Sequence, residues 1–232
     1  MTITTCVFDA YGTLFDVAAA ARVAASEPGN ERLAQTWEGL ARDWRLKQLE
    51  YSWLRAITGD HVDFWQVTQD GLDWAMEAAG LDDATLRARL LALYWELGAY
   101  PEVPAVLNAL KQAGLNMAIL SNGSPAMLQG AVDSAGIGAL FDDVLSVESV
   151  GIFKPAAPVY DLVGQRFGCD RASVLFVSSN GWDAGSAAAY GFTTAWVNRA
   201  GAPMDRLPAR PQHIVPDLSA IAQLALNKGA TA

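Results

Sequence analysis

Asp9 closes a short apolar run, residues 3–8, and is followed by Ala10-Tyr11-Gly12-Thr13. The run reads as a buried strand and the glycine marks a tight turn, so the carboxylate falls at the strand's carboxyl tip. In an open parallel α/β sheet that edge binds ligands, and an acid there can serve as a nucleophile or a metal ligand. A turn or helix-capping aspartate is the purely structural reading. Three further clusters carry polar groups of useful types. Ser121-Asn122-Gly123-Ser124 precedes Pro125, as in a turn that opens a helix, where free backbone N–H groups attract a carboxylate or phosphate. Lys154 stands before Pro155, which keeps the preceding backbone extended and fixes where the ammonium emerges. Ser178-Ser179-Asn180-Gly181-Trp182-Asp183 adds hydroxyls, an amide and a second carboxylate. Taken singly, each reads first as a helix cap or a solvated charge, and only their combination points to a site.

To act together, these clusters must share one edge of a sheet, and the pattern of the chain predicts that they do. Residues 116–120, 144–146, 174–177 and 194–197 read as strands after the first, with 194–197 the last. They alternate with helices expected over 104–113, 125–135, 155–167, 184–190 and 218–226. Such alternation implies right-handed βαβ units and an α/β fold with a Rossmann-like, mainly parallel sheet core. Residues 16–100 interrupt it. Trp37, Leu40, Ala41, Trp44, Gln48, Tyr51 and Leu54 keep the three-and-four spacing of an amphipathic helix that Gly59-Asp60 ends. Two more helices fit 64–79 and 83–97, the latter with Asp83 as cap. A helical cap domain, 16–100, is therefore expected to be inserted into a core made of 1–15 and 101–232. Caps exclude water and add substrate contacts.

Composition narrows the partners. A chain of 232 residues that is 52% hydrophobic and 18% charged has ample core for a globular fold. Its formal charge of -9 disfavours nucleic acid and anionic membranes, so a small anionic substrate needs locally placed cations. No apolar stretch is long enough to span a bilayer and no leader pattern opens the chain, which makes the cytoplasm the expected location. Cys6 and Cys169 read as reduced packing residues, and two histidines without metal-ligand spacing make a zinc site improbable.

The stretch Val7-Phe8-Asp9-Ala10-Tyr11-Gly12-Thr13-Leu14-Phe15-Asp16 resembles the first motif of the haloacid dehalogenase superfamily. Its phosphatases carry Asp-x-Asp-x-Thr/Val, in which the first Asp attacks phosphorus and the second is the acid/base. Tyr11 occupies that second position here. A phenol, with an unperturbed pKa of roughly 10, cannot protonate a leaving alkoxide near neutral pH. Where the phosphatases have Gly-Asp-x-x-x-Asp, this chain keeps Asp183 but shows Ser178-Ser179. Losing two acids leaves a poor magnesium site, so no metal and no cofactor is expected. Together with Trp44-Arg45-Leu46-Lys47-Gln48-Leu49-Glu50-Tyr51-Ser52-Trp53-Leu54-Arg55, absent from the phosphatases, these segments look like those of (S)-2-haloacid dehalogenases.

That resemblance implies hydrolysis of short (S)-2-haloalkanoates to (R)-2-hydroxyalkanoates through an ester on Asp9, with inversion at C2. By the same resemblance Arg45 and Asn122 meet the departing halide, while Phe64 and Tyr11 line an apolar wall. Ser121 and backbone N–H groups near Tyr11 and Asn122 hold the substrate carboxylate. Thr13 and Ser178 orient Asp9, and Lys154 pairs with Asp9 and Asp183 to keep both ionised. Asp183 and Asn180 handle the hydrolytic water, and Tyr160 and Trp182 lie close by. A homodimer through the Trp-rich helix around Gln48–Trp53 is expected, with core packing the competing reading for that face. Azetidine-2-carboxylate hydrolysis and magnesium-dependent phosphatase chemistry are the alternative activities on this fold.

Overall fold

The structure, a computed structural model, describes residues 2–226. Strand β1 (Thr5–Phe8) is buried along its whole length. A run with no polar face must be covered on both sides, which suits the centre of a sheet. It lies there, between β2 (Asn116–Ser121) and β4 (Val174–Ser178). With β3 (Asp143–Ser146), β5 (Thr193–Val197) and β6 (His213–Val215), the order is β3-β2-β1-β4-β5-β6, and every pairing is parallel. The sixth strand corrects the expectation that 194–197 is the last. It is three residues long with Ile214 exposed, so it has no continuous apolar run to announce it.

Helices α5 (Val103–Gln112), α6 (Pro125–Ala135), α7 (Ala157–Phe167), α8 (Gly181–Tyr190) and α9 (Ile221–Leu226) fill the crossovers and close the described chain. Helix α8 starts three residues earlier than the expected 184, which brings Asp183 into its first turn.

Between β1 and β2 the chain forms α1 (Ala19–Ser26), α2 (Glu31–Thr58), α3 (Phe64–Ala78) and α4 (Ala84–Trp95). The first is an alanine-rich helix that the spacing argument does not single out. These helices pack chiefly on one another. Asp63 and Asp83 cap α3 and α4 by accepting first-turn N–H bonds. A buried polar network ties α2 to its neighbours: Gln48 Nε2 donates to Thr68 Oγ1 at 2.9 Å and to Tyr94 OH at 3.1 Å. Trp44 Nε1 donates to the Thr68 carbonyl at 2.8 Å, which fixes the rotation of α2 and hence the direction of the neighbouring Arg45. The segments that enter and leave the insertion run side by side, with Phe15 bridged antiparallel to Ala99 and Tyr100 N donating to Leu14 O at 2.9 Å.

Candidate active site

Asp9 follows β1 directly, and its backbone N–H still donates to Val177 O at 2.9 Å, so the central sheet itself fixes where the carboxylate points. Gly12 then takes a φ of +89°, and a Cβ there would meet Ser179 Oγ at 3.0 Å, so the turn needs glycine on both counts. The turn returns Thr13 over the carboxylate. Asp9 Oδ2 accepts from Thr13 Oγ1 and from Asn180 Nδ2, both at 3.0 Å, and Oδ1 accepts from Lys154 Nζ at 3.1 Å. Lys154 Nζ also donates to Asp183 Oδ2 at 2.8 Å, while Tyr160 OH donates to Asp183 Oδ1 at 2.8 Å. Six side chains from three stretches of the sequence, 9–13, 154–160 and 180–183, thus share one largely buried network.

The charges there are strongly coupled. Burial alone would lower the pKa of the Lys154 ammonium, yet Asp183 and Asp9 beside it outweigh that and hold it above the ordinary lysine value. Burial raises the pKa of Asp183, with the charge of Asp9 adding to it, against the opposing pull of Lys154 and the Tyr160 hydroxyl. A carboxylate with a raised pKa is a better base. Burial also pushes the Tyr11 phenol well above its usual range, which removes it further from acid duty.

Arg45 reaches into this site from α2. Its Nη2 donates to the Tyr11 carbonyl and to Asn180 Oδ1, both at 3.3 Å. Tyr11 is buried among Tyr94, stacked at 5.6 Å, Phe64 at 6.1 Å and Phe15 at 6.2 Å between ring centres. Close against it, Gly123 has no room for a side chain, since a Cβ there would lie 2.8 Å from Tyr11 Cε2. Asn122 Oδ1 accepts from Lys154 N at 2.9 Å, so the amide orientation is set and its Nδ2 is turned away from that bond. Ser121 Oγ accepts from Gly123 N at 3.1 Å.

Some expected neighbours sit differently. Ser178 makes no hydrogen bond to Asp9 among the described residues; its Oγ accepts from Asn180 N at 3.1 Å, so it acts on Asp9 only through Asn180. Tyr160 bonds Asp183 on the oxygen that Lys154 does not hold. Ser124 and Asn180 occupy N-cap positions without capping through their side chains. Asn180 spends its amide on Asp9 and Arg45 instead. The Trp182 ring packs edge-on against Trp53 of α2 at 5.4 Å. Three contributors escape sequence reasoning: Ser179 Oγ, 3.1 Å from Thr13 Oγ1, Tyr94 beneath Tyr11, and Phe153, 6.0 Å from Phe64. Tyr94 and Phe153 look like ordinary core aromatics in the sequence.

The superfamily's phosphatases need magnesium, and the donor set here does not fit it. Lys154 Nζ already places a cation between Asp9 and Asp183, and Tyr11 and Ser179 offer no carboxylate. Among the described residues no cluster of three or more His, Cys, Asp or Glu is placed to hold a metal ion.

A parallel sheet in this strand order, with an acid at the tip of its central strand and a helical insertion between its first two strands, defines a Rossmann-like α/β protein whose ligand site lies at the carboxyl edge of the sheet. Comparison with known proteins narrows this. The model of the haloacid dehalogenase-like hydrolases matches residues 3–191, and the chain belongs to that family. It is 44% identical to (S)-2-haloacid dehalogenase 1 of Pseudomonas sp. (strain CBS-3), over 97% of each chain. Identity to haloacetate dehalogenase H-2 of Moraxella sp. (strain B) is 38%, over 94% of this chain and 95% of that one. The solved structure of L-2-haloacid dehalogenase from Xanthobacter autotrophicus with chloropropionic acid covalently bound is similar at a TM-score of 0.87 and 38% identity, covering 98% of this chain and 100% of that chain.

Proposed function

We propose that this chain hydrolyses short (S)-2-haloalkanoates to (R)-2-hydroxyalkanoates and halide. The observation that carries the reading is Asp9 itself: a buried carboxylate held by Thr13, Asn180 and Lys154, with a phenol where a phosphatase keeps its acid. Oδ2 accepts two of those bonds and Oδ1 one, which leaves Oδ1 the freer lone pair. That oxygen attacks C2 opposite the halogen, the carbon–halogen bond breaks, and the halide leaves with its electron pair. A halide needs no proton, so Tyr11 is no handicap. Water then adds to the ester carbonyl of Asp9 and gives its proton to Asp183. Breakdown of the adduct expels the substrate oxygen, which takes back the proton held on Asp183; the Asp9 carboxylate is restored, water's second proton is released to solvent, and the hydroxy acid leaves with C2 inverted. Holding a carboxylate against its carbon contributes about 7–11 kcal/mol over the reaction between free solutes.

The other roles follow from position. Arg45 and Asn122 Nδ2 receive the halide, Phe64 and Tyr11 form the apolar wall, and Ser121 with backbone N–H groups beside Asn122 takes the substrate carboxylate. Lys154 balances the two acids, and Asn180 joins Asp9 to Arg45. Residues 16–100 act as a cap on a core of 1–15 and 101–232, and α2 pairs two copies into a homodimer in the cytoplasm. No helix of the described residues is long and apolar enough to cross a membrane.

Halide release from (S)- and (R)-2-chloropropionate tests the reading. Release from the (S) form alone is expected. Phosphate release from phosphomonoesters with magnesium, and no halide from either enantiomer, would replace it with phosphatase chemistry.

A further inference from the structure

We infer that Arg199 is a positioning residue that pins both linkers of the cap to the core and, through Thr13, holds Asp9 in line for attack. The catalytic half of this statement rests on the dehalogenase reading. Arg199 stands two residues beyond β5, outside the network around Asp9. Its Nη2 donates to the Thr13 carbonyl at 3.1 Å, its Nη1 pairs with Glu102 Oε1 at 2.7 Å, and its Cζ lies 3.7 Å from the centre of the Tyr100 ring. Thr13 belongs to the segment leaving the core, and Tyr100 and Glu102 to the segment returning. One guanidinium therefore grips both, on the core side of the point where Phe15 bridges Ala99.

The geometry suits arginine in particular. A planar fork can donate to two acceptors while its face stacks on a ring, and a lysine cannot do all three. The contacts are close enough to leave Nε buried with no partner among the described residues. Thr13 is gripped from two sides as a result: Arg199 holds its carbonyl, and its Oγ1 accepts from Ser179 N at 2.7 Å and donates to Asp9 Oδ2 at 3.0 Å. Released by Arg199, Thr13 can slide, and the carboxylate it orients slides with it.

The test combines kinetics with amide hydrogen exchange on folded, substrate-free enzyme. Arg199→Lys should lower kcat for halide release about tenfold, and Arg199→Ala up to about a hundredfold, with KM moving much less, because misplacing a nucleophile slows the step more than it weakens binding. In a Thr13→Ala background the loss of Arg199 should cost little more, since the two act as one unit. Exchange in residues 10–17 and 97–103 should quicken in Arg199→Lys while the strands stay protected. Additive effects in the cycle, or unchanged exchange in both linkers, would overturn the inference. If the wild-type chain releases no halide, the dehalogenase reading fails, and the exchange result alone then decides whether Arg199 pins the linkers.

Discussion

Lys154 Nζ lies 2.8 Å from Asp183 Oδ2, with neither side chain more than marginally exposed. Asp183 is held on its other oxygen by Tyr160 OH, a bond that lowers its pKa against the raising effect of burial. If Asp183 takes the proton from water it must be ionised to do so, and activity should fall as pH falls through its raised pKa. The acid limb of kcat therefore lies above the usual carboxylate range. Tyr160→Phe removes a donor that favours the ionised form, and the limb should move to higher pH with the plateau less affected. A kcat–pH profile checks this; a limb that stays in place would assign the water to another base. Lys154→Met should cost about 3–5 kcal/mol in denaturant unfolding, because it leaves two acids buried without their cation.

Arg45 binds two groups of the core while standing on a helix of the insertion. If its guanidinium meets the halide, the interaction grows as charge leaves carbon, and Arg45→Ala should lower kcat and kcat/KM together. Arg45→Lys should recover part, since one ammonium offers a differently shaped set of donors. Normal turnover in Arg45→Ala would leave this arginine a purely structural link between α2 and the core.

Much of this architecture is legible in the chain because β1, β2 and β4 are apolar runs that can only lie inside a sheet, and because the polar residues that follow them have nowhere to go but its carboxyl edge. Asp9, Asn180 and Asp183 are readable for that reason. β6 is not, since a three-residue edge strand needs no apolar run. The start of α2 is under-read because the apolar stripe begins at Trp37, whereas the helix opens at Glu31 with only Leu33 buried ahead of it; its end at Thr58, before Gly59, lies where the sequence places it. Ser178 and Asn180 carry the subtler lesson. Adjacent polar residues at a strand end look interchangeable as ligands, but backbone direction gives Asp9 to Asn180 and leaves Ser178 to hold the Asn180 N–H. Arg199 has no local signal at all, because its partners Thr13 and Glu102 are distant in sequence.

Dehalogenation should continue at full rate in a chelator. Lys154 already stands between the two carboxylates and pairs with both, so an added divalent ion would have to displace a buried ammonium. Rates of halide release before and after exhaustive chelation decide it. Loss that magnesium restores would bring the phosphatase-like reading back.

The covalent ester separates two routes that give the same product. If Asp9 attacks C2, the hydroxyl oxygen of the first product comes from the Asp9 carboxylate, and the oxygen of water enters Asp9 when the ester is hydrolysed. If water attacks C2 directly, its oxygen goes straight to product. A single turnover in heavy-oxygen water, with enzyme in excess, should therefore yield unlabelled hydroxy acid and a heavier peptide containing Asp9. Asp9→Asn should abolish halide release, because an amide oxygen carries no charge and is a far weaker nucleophile. The same variant keeps a group that can still accept from Thr13, so a folded but inactive protein is expected rather than a collapsed site. Label wholly in the first product with none in Asp9 would remove the nucleophile from Asp9 and give the attack to a water activated by Asp183, whose raised pKa suits it to that work.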